Sequence, residues 1–223
     1  MKRLSYIAFD EPIVFEENVV NILILENPID YRTFIEEISI LAEDGESKVF
    51  FSNNFEKENF DKNVEIIYNP YDLDFNSKTI TAKIQKDLES LVYDEENYIK
   101  SGEILSELEK YLQELVEKID YEIEFESVNI SSVLKAMKPK ISIEDMTYLE
   151  KVCTYMELIN KIFTKSIFIF FNLKTMVSDE ELLELYKYCN YNKFSLLVCE
   201  NTCKEKLEFE RITLIDKDMC QIS

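Results

Sequence analysis

The chain has 223 residues, of which 46% are hydrophobic, and this is enough to bury a core in one or two domains. Its 45 acidic and 25 basic residues give a net charge of −20, which taken alone argues against nucleic-acid binding, because phosphate contacts need clustered lysine and arginine. Without histidine, neither a Ser-His-Asp triad nor a histidine metal site can be built. The two glycines are too few for a GxxxxGK phosphate loop or a dinucleotide fingerprint.

The N-terminal third predicts short strands around one helix. Residues 1–17 alternate loosely between apolar and polar, and Pro12 divides them into two segments typical of a hairpin at a sheet edge. The apolar run 19–25 predicts a buried strand. Asn27-Pro28 then marks a helix start, and Asp44-Gly45 marks the helix end. Two further short strands are expected at residues 48–51 and 64–68.

The period becomes helical after Asn69-Pro70 and stays helical for about 90 residues. One apolar stripe begins at Ile80, and a longer one runs from Ile104 to Ile123 at spacings of three and four. A third helix is expected to begin at Ser142, to be capped by Asp145, and to continue to Phe163. Such amphipathic helices either pack on each other or cover another subunit, and the stripes alone favour neither alternative.

A strand-helix-strand unit is predicted at residues 165–201. The unalternating run Ile167 to Phe171 is typical of a strand buried on both faces of a parallel sheet. Ser178 and Glu181 form a capping-box pair, which predicts a helix start. Residues 195–199 predict a second buried strand, and residues 211–215 one more. Two parallel strands joined through a helix are the βαβ unit of α/β proteins.

These elements predict an α/β fold with a mostly parallel sheet, interrupted by a helical insertion. The α/β head is expected to consist of residues 1–72 and 165–223, and the helical leg of residues 73–164. The five cysteines do not have the spacing of a zinc site, and the apolar runs are too short for a membrane span. We therefore expect a cytoplasmic protein with mostly buried thiols and no membrane partner.

The most concentrated acidic stretch alternates carboxylates with apolar or aromatic residues at Asp120, Glu122, Glu124 and Glu126. On an extended chain all four side chains would point to one side, whereas on a helix only Glu122 and Glu126 would stack. Such a stretch is either a solvated surface or a calcium site, because calcium prefers carboxylate oxygens.

Three lysines follow this stretch within six residues, at Lys135, Lys138 and Lys140, and Lys2-Arg3 forms another basic pair. Three lysines by themselves favour a solvated face. A protein this acidic can still bind DNA if it assembles so that its few basic patches meet on one surface, and Lys135, Lys138, Lys140, Lys2 and Arg3 are then the expected DNA contacts. Because no histidine, glycine loop or serine or cysteine motif is present, an enzyme is the poorer class of hypothesis.

Three segments of the chain carry a resemblance to a known family: LSYIAFDEPIVFEENVVNILILENP, IDYEIEFESVNISSVLKAMKPKI and KSIFIFFNLKTMVSDEELLELYKYCNYNKFSLLVCEN. They resemble the second Csn protein of type II-A CRISPR loci, and the likeness covers nearly the full chain in order and length. The resemblance implies a head similar to a degenerate P-loop ATPase without the nucleotide site, together with a helical leg. It also implies a homotetrameric ring that holds the ends of double-stranded DNA, depends on calcium and has no catalytic activity of its own.

Carried onto this chain, the resemblance implies calcium ligands at Asp120, Glu122, Glu124 and Glu126, near the junction of head and leg. It implies DNA contacts by the lysines of 135–140, although Pro139 and the strong negative charge depart from the expected pattern. The implied partners are duplex DNA, further copies of the chain, the CRISPR integrase and the RNA-guided nuclease, during spacer acquisition. The alternative is an acidic scaffold whose leg binds a protein partner and never touches DNA.

Overall fold

The computed structural model describes residues 1–218 and 220–222. The chain divides into two compact units, one formed by Met1–Leu73 with Asp145–Ser223 and the other by Asp74–Glu144. The insertion is thus shorter than the expected 73–164, because the helix before residue 164 belongs to the first unit. In the described part of the chain, no helix is both long enough and apolar enough to cross a membrane.

The first unit is built on a six-stranded sheet in the order β10-β9-β3-β8-β7-β6. The four pairings among β9, β3, β8, β7 and β6 are parallel, and only the short β10 is antiparallel, which confirms the predicted α/β class. The strands are β3 Val20–Leu25, β6 Val64–Ile67, β7 Ile167–Phe171, β8 Ser195–Glu200, β9 Glu210–Ile215 and β10 Gln221–Ile222.

The predicted βαβ unit is present. Every residue of β7 is buried, and β7 pairs in parallel with β8, so both central strands are covered on their two faces. Helix α6, Asp179–Asn192, connects them and begins with the capping box of Ser178 and Glu181. Its buried face comprises Leu182, Leu185, Tyr186 and Cys189.

A second, antiparallel sheet of four strands has the order β2-β1-β4-β5. Strand β1, Lys2–Tyr6, pairs with β2, Ile13–Val14, which confirms the hairpin around Pro12. Strand β4, Val49–Asn53, pairs with β1 and with β5, Glu56–Lys57, rather than joining the parallel sheet beside β3. A sequence pattern shows that a strand is half-buried but not which sheet contains it.

Helix α1, Pro28–Ala42, follows β3 and begins as predicted, with the Asn27 side chain accepting a hydrogen bond from the Ile29 amide. The helix ends at Ala42 with Glu43 as its C-cap, just before the predicted Asp44-Gly45. Asp44 rather than the glycine takes the left-handed conformation, with φ 57°. Gly45 is required for a close approach instead, because a Cβ there would lie 2.8 Å from the Ile40 side chain.

Helix α5, Tyr148–Phe163, also belongs to the first unit. It begins six residues after the predicted Ser142, at a capping box of Thr147 and Glu150, and Asp145 has a positive φ that is incompatible with a helix. Its apolar face is buried, and Tyr188 of α6 donates a hydrogen bond to the Glu157 carboxylate over 2.7 Å. These contacts explain why α5 groups with the sheet rather than with the insertion.

The second unit contains three helices: α2 Lys78–Val92, α3 Tyr98–Val116 and α4 Ile130–Met137. Helix α3 has no buried residue, and Ile104, Leu108 and Tyr111 are all exposed. The predicted stripe from Ile104 to Ile123 is longer than the helix, because Ile119 and Ile123 follow its end. Helix α3 therefore leaves Ile104 and Leu108 of its apolar stripe exposed within a single chain, whereas Leu112 and Leu115 are half-buried.

Of the five cysteines, Cys189 and Cys199 are buried and Cys153 is half-buried, whereas Cys203 and Cys220 are exposed. The expectation of mostly buried thiols therefore holds only for the cysteines on α5, α6 and β8. Burial raises the pKa of the Cys153 thiol to about 11, so this thiol is protonated at neutral pH.

Candidate nucleic-acid interface

Four lysines surround a cavity of about 340 Å³ in the second unit. Lys135 lies in the last turn of α4, and Lys138, with φ 49°, is the C-cap that follows the helix end at Met137. Lys140 follows after Pro139, and Lys78 is the first residue of α2. The structure thus brings together the three predicted lysines and adds a fourth, and we call Lys78, Lys135, Lys138 and Lys140 the lysine cluster.

Asn76 holds the two parts of the lysine cluster next to each other. Its Nδ2 donates to the Ile141 carbonyl over 3.2 Å, and the Ile141 amide donates to its Oδ1 over 2.8 Å. The following residue, Ser77, caps α2 by accepting from the Ile80 amide. One side chain therefore positions the segment after α4 against the beginning of α2.

The lysine cluster has little acidic compensation. Lys135 Nζ lies 3.7 Å from Glu89 Oε1, but both side chains are partly exposed, and such pairs are worth about 0–1 kcal/mol. Among the described residues, Lys78, Lys138 and Lys140 have no carboxylate within 4.0 Å of Nζ. Three of the four ammonium groups are thus available to an anion such as a phosphate.

Sequence reasoning missed Lys78, together with Thr81 and Gln85, which line the same cavity. Their spacing places these residues on adjacent positions of one helix face. No local pattern relates Lys78 to residues more than 50 positions later, so only the fold reveals the association.

The other predicted DNA contacts, Lys2 and Arg3, lie on β1 in the first unit, and each has its own interaction there. Lys2 Nζ donates to Asn63 Oδ1 over 2.6 Å. The Arg3 guanidinium lies 4.2 Å from the centre of the Phe55 ring, a cation–π geometry. Both cations take part in contacts within the first unit, and their role in DNA binding stays a prediction.

The predicted calcium ligands lie in an irregular, exposed segment between α3 and α4. In the part of the chain that the structure describes, Asp120, Glu122, Glu124 and Glu126 form no ion pair, and no group of three or more metal-ligating side chains is arranged around one point. The donor chemistry fits calcium, whereas one chain alone does not gather the carboxylates. The calcium site stays a prediction.

A buried cluster of charges lies in the first unit. Lys174 Nζ contacts Glu210 Oε1 at 2.7 Å, and Tyr186 donates to the same oxygen over 2.8 Å. Glu200 Oε1 accepts from the Lys174 amide, whereas its Oε2 is buried without a hydrogen-bond partner. Burial raises the pKa of the Glu200 carboxyl. These groups are enclosed, and apart from Glu200 Oε2 their polar atoms are bonded within the first unit.

A model of the family described as "CRISPR-associated protein (Cas_Csn2)" matches residues 42–219. The chain belongs to the Csn2 family. A curated relative, CRISPR-associated protein Csn2 of Streptococcus agalactiae, is 23% identical over 207 residues, which cover 90% of this chain and 89% of the relative. This Csn2 family member is therefore a CRISPR-associated protein.

Solved structures with similarity to this chain include a putative ABC transporter ATP-binding protein from Pyrococcus furiosus, at 8% identity and a TM-score of 0.42. That match covers 95% of this chain and 96% of the other. An ATP-binding cassette of an ABC transporter in its ADP conformation has 11% identity and a TM-score of 0.44, over 91% and 82% of the two chains.

In this Csn2 family member, the turn between β3 and α1 consists of only Glu26 and Asn27. The Asn27 side chain accepts from the Ile29 amide, and Pro28 at the first helical position has no N–H to donate. The Tyr31 hydroxyl donates to the Cys199 carbonyl over 3.2 Å, and burial raises the pKa of this phenol. A turn of this length cannot form a phosphate-binding loop of the P-loop type.

Proposed function

We propose that this Csn2 family member is a non-catalytic protein that binds double-stranded DNA without sequence preference, in the cytoplasm, during type II-A CRISPR spacer acquisition. The observation that carries the proposal is the lysine cluster, in which Lys78, Lys138 and Lys140 have no acidic partner among the described residues. Ammonium groups around an open cavity suit the phosphates of a duplex, and such contacts carry no sequence information.

The net charge of −20 requires several chains to act together. One lysine cluster on an acidic chain attracts DNA weakly, whereas a ring of four chains would direct four clusters toward one duplex. The exposed part of the α3 stripe supports self-association, because a patch of exposed apolar side chains such as Ile104 and Leu108 marks a surface that another chain can cover. The resemblance of the sequence to ring-forming proteins motivates the number four.

Calcium is proposed to bind the carboxylates of Asp120, Glu122, Glu124 and Glu126, with further ligands from the rest of the assembly. These groups are exposed and make no ion pair among the described residues, so a divalent cation would relieve their mutual repulsion. The ring would prefer DNA ends. It would act with the CRISPR integrase and the RNA-guided nuclease, and the proposal of these two partners rests on the family resemblance alone.

An electrophoretic mobility shift with linear and circular duplexes of one sequence, with calcium or a chelator, tests the proposal. Wild-type protein is expected to shift linear duplex in calcium and to lose affinity steeply with added salt. The variant Lys78→Glu/Lys138→Glu/Lys140→Glu should bind about 100-fold more weakly, because three phosphate contacts become repulsive.

The matched control is Lys100→Glu/Lys110→Glu/Lys118→Glu, which changes the same charge at exposed lysines of the same unit. It should lower affinity by less than about tenfold, since only the general field of the protein changes. Equal losses in the two triple variants would contradict a role for the lysine cluster, and equal weak binding under all conditions would contradict DNA binding.

The second candidate function is an acidic scaffold whose helical insertion binds a protein. The exposed stripe of α3 favours it, because the same side chains could contact a partner protein. Duplex binding distinguishes the two functions. A scaffold would not bind duplex even as the wild type, and the triple lysine variant would keep its partner binding.

A further inference from the structure

Strand β9 has an open edge over its first half. On one side β9 pairs with β3 along its whole length, from Glu210 to Ile215. On the other side, within the described residues, β10 pairs only with Leu214 and Ile215. The residues before Leu214 therefore end the parallel sheet on this side, and an open edge of this kind is a template for another strand.

The hydrogen bonds of β9 to β3 determine which backbone groups are free. The Val20 amide donates to the Phe209 carbonyl, and the Glu26 amide donates to the Ile215 carbonyl. In a parallel pair, alternate residues of a strand bond to the same neighbour. Odd-numbered residues of β9 thus face β3, and the backbone N–H and C=O of Ile212 face the opposite side.

A groove of about 840 Å³ lies along this open edge. Residues 11–14, which include strand β2, form part of its lining, together with residues 206–213. Gln221 closes one part by accepting hydrogen bonds from the Asp10 and Glu11 amides over 2.7 and 3.3 Å. Asn21 Nδ2 donates to the Val14 carbonyl over 3.1 Å and fixes β2 to the sheet. Strands β2 and β9 thus form two sides of the groove, and the loop of residues 206–209 forms another part of its lining.

The charge of the groove indicates what occupies it. Arg211 is neutralised by Glu16 through two hydrogen bonds of 2.9 Å, and Glu210 is paired with Lys174. Of the remaining charged residues in the lining, Glu11 and Glu208 are exposed carboxylates without an ion pair among the described residues, and Lys206 is the one cation left over. Two unpaired carboxylates against one ammonium leave the lining with an excess of one negative charge, in accord with the net charge of the chain.

We propose that this groove binds an extended, basic segment of a partner protein, which adds a strand to the sheet at Ile212. The backbone of Ile212 would supply one donor and one acceptor, and the partner's lysine or arginine side chains would lie near Glu11 and Glu208. This interaction is separate from DNA binding, because the groove lies wholly in the first unit and the lysine cluster in the second.

The test uses the full chain and a synthetic octapeptide of alternating valine and lysine, with an octapeptide of valine and glutamate as the control. Titration with the valine–lysine peptide is expected to protect the Ile212 amide from hydrogen exchange with solvent. The glutamate peptide should bind at least about tenfold more weakly. Two further peptides are N-methylated on alternate residues. Only one of these two should lose binding, because only one edge of an added strand bonds to β9.

The variant Glu11→Lys/Glu208→Lys should bind the lysine peptide about tenfold more weakly than the wild type. The control Glu46→Lys/Glu95→Lys, with the same charge change outside the groove, should bind it as tightly as the wild type. Equal effects of the two N-methylated peptides would overturn the proposal. Protection of Ile212 that appears without peptide and rises with protein concentration would overturn it in favour of a second copy of the chain. Duplex binding reports on the proposed function independently, so failure of either proposal is recognisable by itself.

Discussion

Lys174 and Glu210 illustrate how a buried charge depends on its partner. The exposed fractions of the two side chains are 3% and 0%, and the ion-pair distance is 2.7 Å. Lys174→Met would leave the Glu210 carboxylate buried with only the Tyr186 hydroxyl and the Leu207 amide as donors. We expect the free energy of unfolding, measured by urea denaturation, to fall by about 3–5 kcal/mol.

Two further variants control this measurement. Adding Glu210→Gln to Lys174→Met should recover part of the loss, since the uncompensated charge is removed. Lys161→Met breaks an exposed pair with Glu157 and should change stability by less than about 1 kcal/mol. A loss at Lys174 as small as the loss at Lys161 would show that the buried pair is not needed.

Glu200 predicts a pH dependence of stability. Burial raises the pKa of its carboxyl above the ordinary 4.5, so the folded chain prefers the protonated form. This contribution to stability is present below the ordinary pKa and is lost as the pH rises through the raised pKa. Glu200→Gln removes the loss, so the free energy of unfolding of the variant relative to the wild type should rise with pH.

Urea denaturation between about pH 4 and pH 8 measures this difference. Glu16→Gln should show the opposite trend, because hydrogen bonding to Arg211 lowers the pKa of the Glu16 carboxyl and stabilises its charged form. A difference at Glu200 that is independent of pH would mean that the carboxyl has no raised pKa in the folded chain.

Helix α6 tests how much a local signal contributes at the scale of an element. The Ser178 hydroxyl accepts from the Glu181 amide, and the Glu181 carboxylate accepts from the Ser178 amide. Ser178→Ala should lower the free energy of unfolding by about 1 kcal/mol. Ser178→Asp should lose much less stability, because aspartate is also a good N-cap residue. Thermal or urea denaturation measures both variants, and equal losses in the two would indicate that the cap is not the cause.

Elements with strong local signals could be predicted from the sequence, together with the parallel pairing of β7 and β8 inside one βαβ unit, whereas the sheet that contains a strand such as β4 could not. The run Ile167 to Phe171 and the capping box at Ser178 are local, and both predictions are confirmed. The predicted start of α5 was wrong because Ser142 and Thr147 are both residues that can cap a helix. Only the positive φ of Asp145 excludes a helix that begins at Ser142. The assignment of β4 to the second sheet depends on long-range pairing with β1.

The same distinction applies to the candidate site. Lys135, Lys138 and Lys140 are close in sequence, and the structure keeps them around one cavity. Lys78 joins them through the Asn76–Ile141 hydrogen bonds, which no local pattern reveals. The acidic segment is visible in the sequence, but a single chain does not gather its carboxylates around one point in the described residues.

At the scale of the whole molecule, the proposal must reconcile a chain of net charge −20 with binding to a polyanion. Repulsion between such chains opposes assembly, and calcium on the carboxylates of 120–126 would reduce it. The exposed stripe of α3 offers apolar area for the contacts. Assembly and metal binding are therefore expected to be coupled, with the larger assembly favoured in calcium.

The solution mass of the protein, measured by light scattering with linear duplex in calcium or in chelator, tests this account most directly. We predict a protein mass of about 106 kDa in calcium, four times the 26.5 kDa of one chain, associated with the duplex. In chelator we predict a smaller species with weaker duplex binding. A chain that remains a monomer in calcium and does not associate with linear duplex would contradict the account.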